Sequence, residues 1–528
     1  MRVARRDLLA SGAALTGLGV MPGMAAMALK PPRYIRHDVA SPEGQRMLRG
    51  YAKAIEVMLA KPATHPHNWF RNAFVHYMDC PHGNWWFYVW HRGYVGFVEQ
   101  TIRKYSGMAD FAFPYWDWTT QQRLPATMFD GVLTPVAQAF STYAKDLPTF
   151  TAFIQPALQT YYNGLNRFQM EQQKLRGNTD FGKLWDGVAG TNGVDIGDRA
   201  FAATDRSRYP TAANPDLVKS VADLCAPEHV ALGLQPTLFN SPNMSNSFTS
   251  RLTASHNAMP TGSADFSLLE GDPHNKVHNF IGGAFQGPGN WGDGPFGNMT
   301  NNLSPVDPIF FLHHSNMDRL WWIWEGKQLS LGLPTLPTDP QTLAQFKSDP
   351  FLFFWTADGQ PVLDGKAGDY INPARFDYRY AEPVGQDLIK LVTAMKQKPA
   401  PTPLLLASAP SPKAVDDLSD WSVGTGAKQL LAIISFTRPE NSAREYTVLL
   451  NAPPDVKSAG PDSPYYTGAI TFFGGHMPNM GHRYRYIVAL KRDLVAKAGG
   501  HLDLRLAAPS NKPDAPVPVI EALEIRGV

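Results

Sequence analysis

Two adjacent histidines, His313 and His314, lie inside a segment that otherwise has the composition of a buried helix. Phenylalanine and leucine precede them, and Trp321, Trp322 and Trp324 follow. An imidazole taken out of water costs on the order of 1–3 kcal/mol if its nitrogens have no partner, so hydrogen bonds or a metal ion must bind these rings. This pair therefore restricts the chain to folds that bring polar or metal-binding partners into the core.

A second pair, His274 and His278, precedes this segment and is spaced by four residues. On a helix that spacing places both rings on one face, where they can bind one ion. A single buried histidine is more often satisfied by hydrogen bonds, but three converging rings favour a metal. We therefore predict that one ring of the later segment joins His274 and His278.

A third cluster lies much earlier, from His76 through Cys80 and His82 to His91. Nine residues separate His82 from His91, which is about half a turn out of phase on one straight helix. We therefore place His82 in a loop and His91 on the helix that follows. The sequence thus predicts two sets of three histidines within one domain.

These segments resemble the two copper signatures of the type 3 copper family, the tyrosinases and catechol oxidases. The first comprises His82, Phe87, Trp90-His91-Arg92, Val95 and Glu99, with Tyr88 as a departure, and the second is Asp307-Pro308-x-Phe310-Phe311-x-x-His314-x-x-x-Asp318. The resemblance implies two copper ions per chain, with O2 as co-substrate. It implies the ligands His76, His82 and His91 for the first copper, and His274, His278 and His314 for the second. His313 is then a hydrogen-bonded neighbour that does not bind copper.

The chain has two cysteines, Cys80 and Cys225, and they allow two interpretations. In an exported protein a disulfide is the ordinary expectation. In the resembling family a cysteine beside the first copper forms a thioether with the second histidine ligand, and the Cys80-Pro81-His82 spacing fits that crosslink better. The resemblance thus implies a Cys80–His82 thioether and a free Cys225 thiol.

Glu270 and Asn275 flank His274, and the resemblance suggests a catalytic role for both. In the family an acidic residue and an asparagine at these positions hold a water that accepts the proton of a phenol. Because a phenol has a pKa near 10, such a water lowers the barrier to its binding as a phenolate. The alternatives are a charge at a helix N-terminus for Glu270 and an ordinary surface position for Asn275.

Two segments are candidates for covering the copper pair. Met299 follows a Gly- and Pro-rich loop at residues 282–297, which is either a gate that steers substrates or an ordinary connection. His476, Met477 and Met480 combine ligands that suit Cu(I), so they are candidates for copper loading or for a plug, with a simple turn as the alternative.

The chain divides by composition into four parts. Residues 1–28, with Arg5-Arg6, predict a twin-arginine signal and hence export to the periplasm or secretion. Residues 386–416 form a Pro-rich linker, and five alternating segments between residues 430 and 506 predict an antiparallel β domain at 417–528. The fold class is therefore α+β multidomain, with a mainly α catalytic domain at 29–385. The resemblance implies a four-helix bundle there and a C-terminal domain like the one that keeps plant-type polyphenol oxidases latent.

These features indicate copper-dependent oxidation of phenols by O2. The expected activities are ortho-hydroxylation of monophenols and oxidation of o-diphenols to o-quinones, and the alternatives are a catechol oxidase without hydroxylase activity or haemocyanin-like O2 binding. Six histidines without structural cysteine pairs do not have the spacing of a structural zinc site. A net charge of +2 excludes strong attraction to nucleic acid or membranes, so the expected partners are phenolic small molecules and O2. A copper chaperone and the oligomeric state are left open.

Overall fold

The computed structural model describes residues 32–191, 198–258, 264–394, 404–405, 413–415, 429–439, 442–474, 483–498 and 502–527. The predicted export signal, most of the predicted linker, and His476, Met477 and Met480 lie outside these ranges. Among the described helices, none combines the length and the apolar character that a bilayer crossing requires.

The helices are α1 (Pro42–Leu59), α2 (Trp69–Asp79), α3 (Phe87–Ser106), α4 (Gln138–Ala144), α5 (Leu147–Asn163), α6 (Arg167–Leu175), α7 (Phe181–Ala189), α8 (Lys219–Cys225), α9 (Pro227–Leu234), α10 (Asn275–Ile281), α11 (Ile309–Ser330), α12 (Pro340–Ser348), α13 (Gln386–Ala394) and α14 (Arg492–Lys497). The strands are β1 (Tyr34–Arg36), β2 (Ala264–Phe266), β3 (Tyr378–Tyr380), β4 (Leu404–Leu405), β5 (Lys413–Val415), β6 (Leu430–Thr437), β7 (Glu445–Leu450), β8 (Ser458–Ala459), β9 (Tyr466–Thr471), β10 (Arg483–Ala489), β11 (Leu502–Pro509) and β12 (Ile520–Gly527). The predicted fold class, a helical catalytic region followed by a β region, is confirmed.

Buried charges hold the two longest helices, α3 and α11, against each other. The Asp318 carboxylate on α11 accepts hydrogen bonds from Arg92 on α3 at 2.6 Å and from Arg36 on β1 at 3.0 Å. The Tyr380 hydroxyl on β3 donates to the same carboxylate at 2.6 Å. Removing one partner of a buried ion pair costs about 3–5 kcal/mol because the other charge is left uncompensated. The network therefore fixes α3 and α11 in one relative position.

The C-terminal region forms two sheets, in the strand orders β2-β10-β6-β12-β4 and β5-β11-β7-β9, with β8 pairing beside β11. The five strands predicted there are present as β6, β7, β9, β10 and β11. The sequence reasoning missed β12, which lies between β6 and β4 and pairs antiparallel with both.

One strand of the first sheet belongs to the catalytic region. Strand β2 pairs in parallel with β10, in a register that matches Ala264 with Tyr484 and Phe266 with Tyr486. Backbone hydrogen bonds therefore join the two regions only a few residues before Glu270. The β region is thus attached to the catalytic region through a shared sheet as well as through the linker.

The predicted linker at 386–416 begins too early, because residues 386–394 form helix α13. Leu388 and Val392, four residues apart, lie on one face of this helix and are buried against the helical core. Helix α13 therefore belongs to the catalytic region, and the Pro-rich segment begins after it.

Candidate metal centre

The six predicted ligands come from four α-helices, one loop and one π-helical turn. His76 lies on α2, His82 on the following loop, His91 on α3, His278 on α10 and His314 on α11. His274 ends a π-helical turn, Glu270–His274, that contains Pro273. Proline supplies no N–H to the helical ladder, and such widened turns are frequent at functional sites. The predicted shared face of His274 and His278 is present, since their ring centroids are 4.5 Å apart.

The first three rings are held from their outer sides. The ring centroid of His76 lies 5.4 Å from those of both His82 and His91. The Nδ1 atom of His76 donates to the main-chain oxygen of Asn302 at 2.8 Å, and Nδ1 of His91 donates to that of Phe87 at 2.7 Å. Because a carbonyl oxygen only accepts, Nε2 carries the lone pair in both neutral rings.

These two lone pairs face each other, which shows that the site fits a cation. The Nε2 atoms of His76 and His91 are 3.3 Å apart, and both side chains are almost fully buried. Two neutral nitrogens oriented in this way repel each other unless a positive ion lies between them. Tetrahedral ligand nitrogens at about 2.0–2.1 Å from one metal ion would be about 3.3 Å apart.

The second three rings form a matching site. The Nε2 atoms of His278 and His314 are 3.1 Å apart, and Nδ1 of His278 donates to the main-chain oxygen of Met299 at 2.7 Å. Nε2 of His274 is buried without a hydrogen-bond partner among the described residues. The rings of His91 and His314 stack across the two sites, with centroids 4.3 Å apart and planes at 11°. The two trios therefore face each other as a dinuclear centre requires.

Burial keeps these rings in the form that binds metal. Desolvation lowers the pKa of His76 and of His274 to about 3, and it lowers the pKa of His91, His278 and His314 well below the ordinary value. An imidazole must be neutral to bind a metal ion, and imidazole nitrogens suit copper, zinc, iron and nickel. The trios are therefore deprotonated at neutral pH without any conformational change.

The comparisons with known proteins identify the family. The family model for the common central domain of tyrosinase matches residues 61–327, just over half of the chain. The chain belongs to the tyrosinase family. The family implies a dinuclear copper centre, and the two histidine trios fit it.

Two relatives and one solved structure show which kinds of protein this tyrosinase-family chain is similar to. A chloroplastic polyphenol oxidase of Spinacia oleracea is 24% identical over 361 residues, 64% of this chain and 46% of that protein. The hemocyanin beta-C chain unit G of Helix pomatia is 25% identical over 305 residues, 57% of this chain and 52% of that protein. The chain thus spans about half the length of the curated relatives it matches. The structure of latent apple tyrosinase has the same fold, with a TM-score of 0.52 at 19% identity over 95% of this chain and 98% of that one.

The two candidate catalytic residues lie beside the second trio, each with other partners. The Glu270 carboxylate accepts from the backbone N–H of Gly83 at 2.6 Å and from the Ser250 hydroxyl. Burial raises its pKa to about 8, although both hydrogen bonds oppose that shift. The Asn275 amide N–H donates to the main-chain oxygen of Thr471 in β9 at 3.1 Å. The β region therefore takes up the Asn275 N–H group, which by the family resemblance would hydrogen-bond a water molecule.

The structure places the Cys80 sulfur beside the His82 ring. Cys80 and Cys225 are both buried and free. The Cys80 sulfur lies 3.5 Å from Nδ1 of His82, and a guanidinium N–H of Arg176 donates to that sulfur at 3.3 Å. The sulfur is therefore held beside the ring that the thioether would join.

An aromatic side chain of the β region covers the centre. The ring centroid of Phe473 lies 4.5 Å from that of His82, 4.6 Å from that of His278 and 5.7 Å from that of His274. Met299, the predicted gate, is fully buried, and its main-chain oxygen holds His278. His476, Met477 and Met480 are not among the described residues, so a plug formed by them stays a prediction.

The sequence reasoning missed three residues that contact this centre. Phe473 ends an alternating segment, residues 469–473, whose pattern predicts only a strand. Arg176 lies between residues 128 and 228, where the sequence has no chemical motif. Trp118 ends an aromatic stretch, residues 111–118, that is typical of core packing, and its indole contacts His313 at 3.2 Å. The double phenylalanine before Gly474 was the available signal for Phe473, whereas Arg176 had none because its contact with Cys80 is purely tertiary.

A buried histidine outside the centre stabilises the end of α2. Nε2 of His256 lies 2.9 Å from the carboxylate of Asp79, and Nδ1 contacts the carboxylate of Asp349. Burial alone would lower the pKa of His256, but the two carboxylates outweigh it and raise the pKa to about 9. Folding therefore takes up a proton between pH 6.5 and about 9.

We expect the contribution of His256 to stability to fall across this pH range. That contribution is complete below pH 6.5, where the ring is charged in both states, and it is lost as the pH rises through about 9, a change of about 3 kcal/mol. Because other buried histidines have lowered pKa values and act in the opposite direction, the measured quantity is the difference between the parent chain and His256→Gln, which urea unfolding should show shrinking from pH 6 to pH 9. His67→Gln is the matched control, because burial lowers the pKa of His67 to about 4. An unchanged pH dependence in His256→Gln would contradict the assignment.

Proposed function

We propose that this chain is a copper-dependent phenol oxidase that oxidises o-diphenols to o-quinones and hydroxylates monophenols at the ortho position. The main support is the pair of facing histidine trios, above all the opposed lone pairs of His76 and His91. Copper ions bound there would supply the two electrons that reduce O2. The protein's own residues would hold the ions, exclude water and position the phenol.

The hydroxylase activity is proposed from Glu270 and Asn275. Both residues are fully buried and lie next to His274. When β9 leaves, the Asn275 amide loses its Thr471 partner and can orient a water, while Gly83 and Ser250 keep the Glu270 carboxylate in place. That water can accept the proton of a monophenol, whereas a catechol has a second hydroxyl and depends less on it.

Latency is proposed from the contacts of the β region with the centre. Phe473 lies on three of the histidine rings. Lys276 on α10, two residues from His274 and from His278, forms a buried ion pair with Glu445 on β7. Asn279 on the same helix donates to the main-chain oxygen of Phe472 at 2.9 Å. Access for a phenol therefore requires displacement of this cover.

The similarity to haemocyanin supports one other candidate, reversible O2 binding without turnover. A second alternative is a catechol oxidase that lacks hydroxylase activity. In such an enzyme Glu270 and Asn275 would not hold the water that accepts the proton of a monophenol. Steady oxidation of a catechol in air supports an oxidase and contradicts an oxygen carrier.

The deciding experiment compares a monophenol with its catechol on the copper-loaded chain, before and after the β region is displaced. We expect Glu270→Gln and Asn275→Asp to lower the monophenol-to-catechol ratio of kcat/KM by about 10²-fold, the usual contribution of general acid–base catalysis. Glu325→Gln is the control, a partly buried carboxyl that forms an ion pair with Arg92 on α3. Equal losses on both substrates would contradict the water-holding role, and absent hydroxylation in the parent would refute the hydroxylase assignment.

We also propose the Cys80–His82 thioether. Joining the sulfur to a ring carbon removes the thiol hydrogen and a ring hydrogen, and O2 at the copper centre accepts the two electrons and two protons. After denaturation has removed the copper, the copper-loaded chain should therefore have a mass lower than the sequence mass by two hydrogen atoms, while Cys80→Ser should keep its full mass. A parent chain of full mass with both coppers bound would exclude the crosslink.

A further inference from the structure

The protonated nitrogen of His313 is determined by its neighbour Trp118. The indole Nε1 of Trp118 lies 3.2 Å from Nδ1 of His313. An indole N–H only donates, so Nδ1 must carry a lone pair. The proton of the ring is therefore on Nε2, and a doubly protonated ring is excluded because two N–H groups would oppose each other.

That N–H group belongs to the metal centre. His313 is fully buried, and its Nε2 has no hydrogen-bond partner among the described residues. One ring nitrogen from each of His274, His278, His313 and His314 lies within 4.8 Å of the others. The His313 ring also stacks on that of His274, at 5.3 Å between centroids and 22° between planes. A buried donor without an acceptor is costly, so the site calls for an acceptor that the described residues do not supply.

The tautomer makes His313 a donor and argues against a role as a fourth ligand. A ring nitrogen needs a free lone pair to bind a metal ion, and the free nitrogen of His313 carries its proton instead. A molecule bound in the second trio would place an acceptor at this position. An anionic oxygen is the strongest acceptor for such an N–H.

We propose that His313 donates its Nε2–H to the oxygen of a phenolate bound in the second trio. This inference rests on the proposed phenol oxidase function and adds a residue that touches the substrate. A phenol is almost fully protonated at neutral pH, and a donor at its oxygen favours the ionised form. Trp118 is then a positioning residue, because it acts by keeping the proton on Nε2.

The test measures phenolate binding without turnover. The probe is 4-nitrophenol, whose ionisation is visible by absorption, titrated under anaerobic conditions into copper-loaded full-length chain carrying Phe473→Ala. We expect His313→Leu to weaken binding of the anion by about tenfold and to raise the pH at which the bound phenol ionises. His313→Gln, which keeps an N–H, should restore most of the affinity, and Trp118→Phe should give an intermediate loss. Each variant should keep two coppers per chain.

Two results would overturn the proposal. Unchanged 4-nitrophenolate binding and ionisation in His313→Leu, with both coppers present, would show that the N–H has no acceptor in the substrate. Loss of one copper in His313→Leu and His313→Gln would show that the residue is a ligand. Failure of the parent chain to bind copper or oxidise catechol would instead refute the proposed function, so the two failures are distinguishable.

Discussion

The copper content of the His278→Ala chain is expected to fall from two ions to about one. His278 supplies Nε2 at 3.1 Å from Nε2 of His314, and its Nδ1–H is held by the main-chain oxygen of Met299. Loss of an outer partner of a ligand already weakens metal binding by about 10–100-fold, so loss of the ligand itself should cost more than about 10²-fold. Catechol oxidation should be abolished, because a single copper cannot supply both electrons for O2.

The matched control is His67→Ala. His67 is also buried, but its ring contacts the Tyr105 hydroxyl and the main-chain oxygen of Thr356, each at 2.9 Å, and it has no part in the trios. This variant should keep two coppers and its activity. Elemental analysis and a catechol assay check both variants. Two coppers in active His278→Ala, or an equal copper loss in His67→Ala, would contradict the ligand assignment.

Replacing Phe473 by alanine in the uncut chain is expected to release activity by about tenfold or more. Burial of a phenylalanine contributes about 1.5–3 kcal/mol, and the closed state loses this contribution when the ring is removed. The open population rises accordingly, since about 1.4 kcal/mol corresponds to tenfold. The kcat/KM for a catechol measures the effect, and Phe168→Ala, at a site 64% exposed, is the surface control.

Cleavage of the linker alone should leave most of this latency in place. The β2–β10 pairing and the Lys276–Glu445 ion pair remain after a cut between residues 395 and 428. The two fragments should therefore elute together in size-exclusion chromatography, and Phe473→Ala should activate the cut chain as well. Full activity on cleavage, with separated fragments, would show that the linker is the main restraint. An unchanged rate in Phe473→Ala would show that the ring does not cover the site.

The sequence alone predicted the elements in which the spacing of residues along the chain matches the face that is buried in the structure. The spacing of His274 and His278, the loop and helix positions of His82 and His91, and the alternating strands are present in the structure because periodicity directs each side chain to one face. The family resemblance is confirmed by the match over residues 61–327. Helix α13 was missed because the Pro-rich segment after it dominated the composition.

Contacts between distant segments were decided only by the tertiary structure. The Phe473 ring lies on histidines nearly 200 and nearly 400 residues away, Arg176 reaches Cys80, and Trp118 fixes the proton of His313. No local periodicity carries such information, because these partners meet only when helices and sheets pack. The sequence thus indicated which residues are candidate metal ligands, whereas the packing decided which nitrogens carry protons and which side chain lies over the histidine rings.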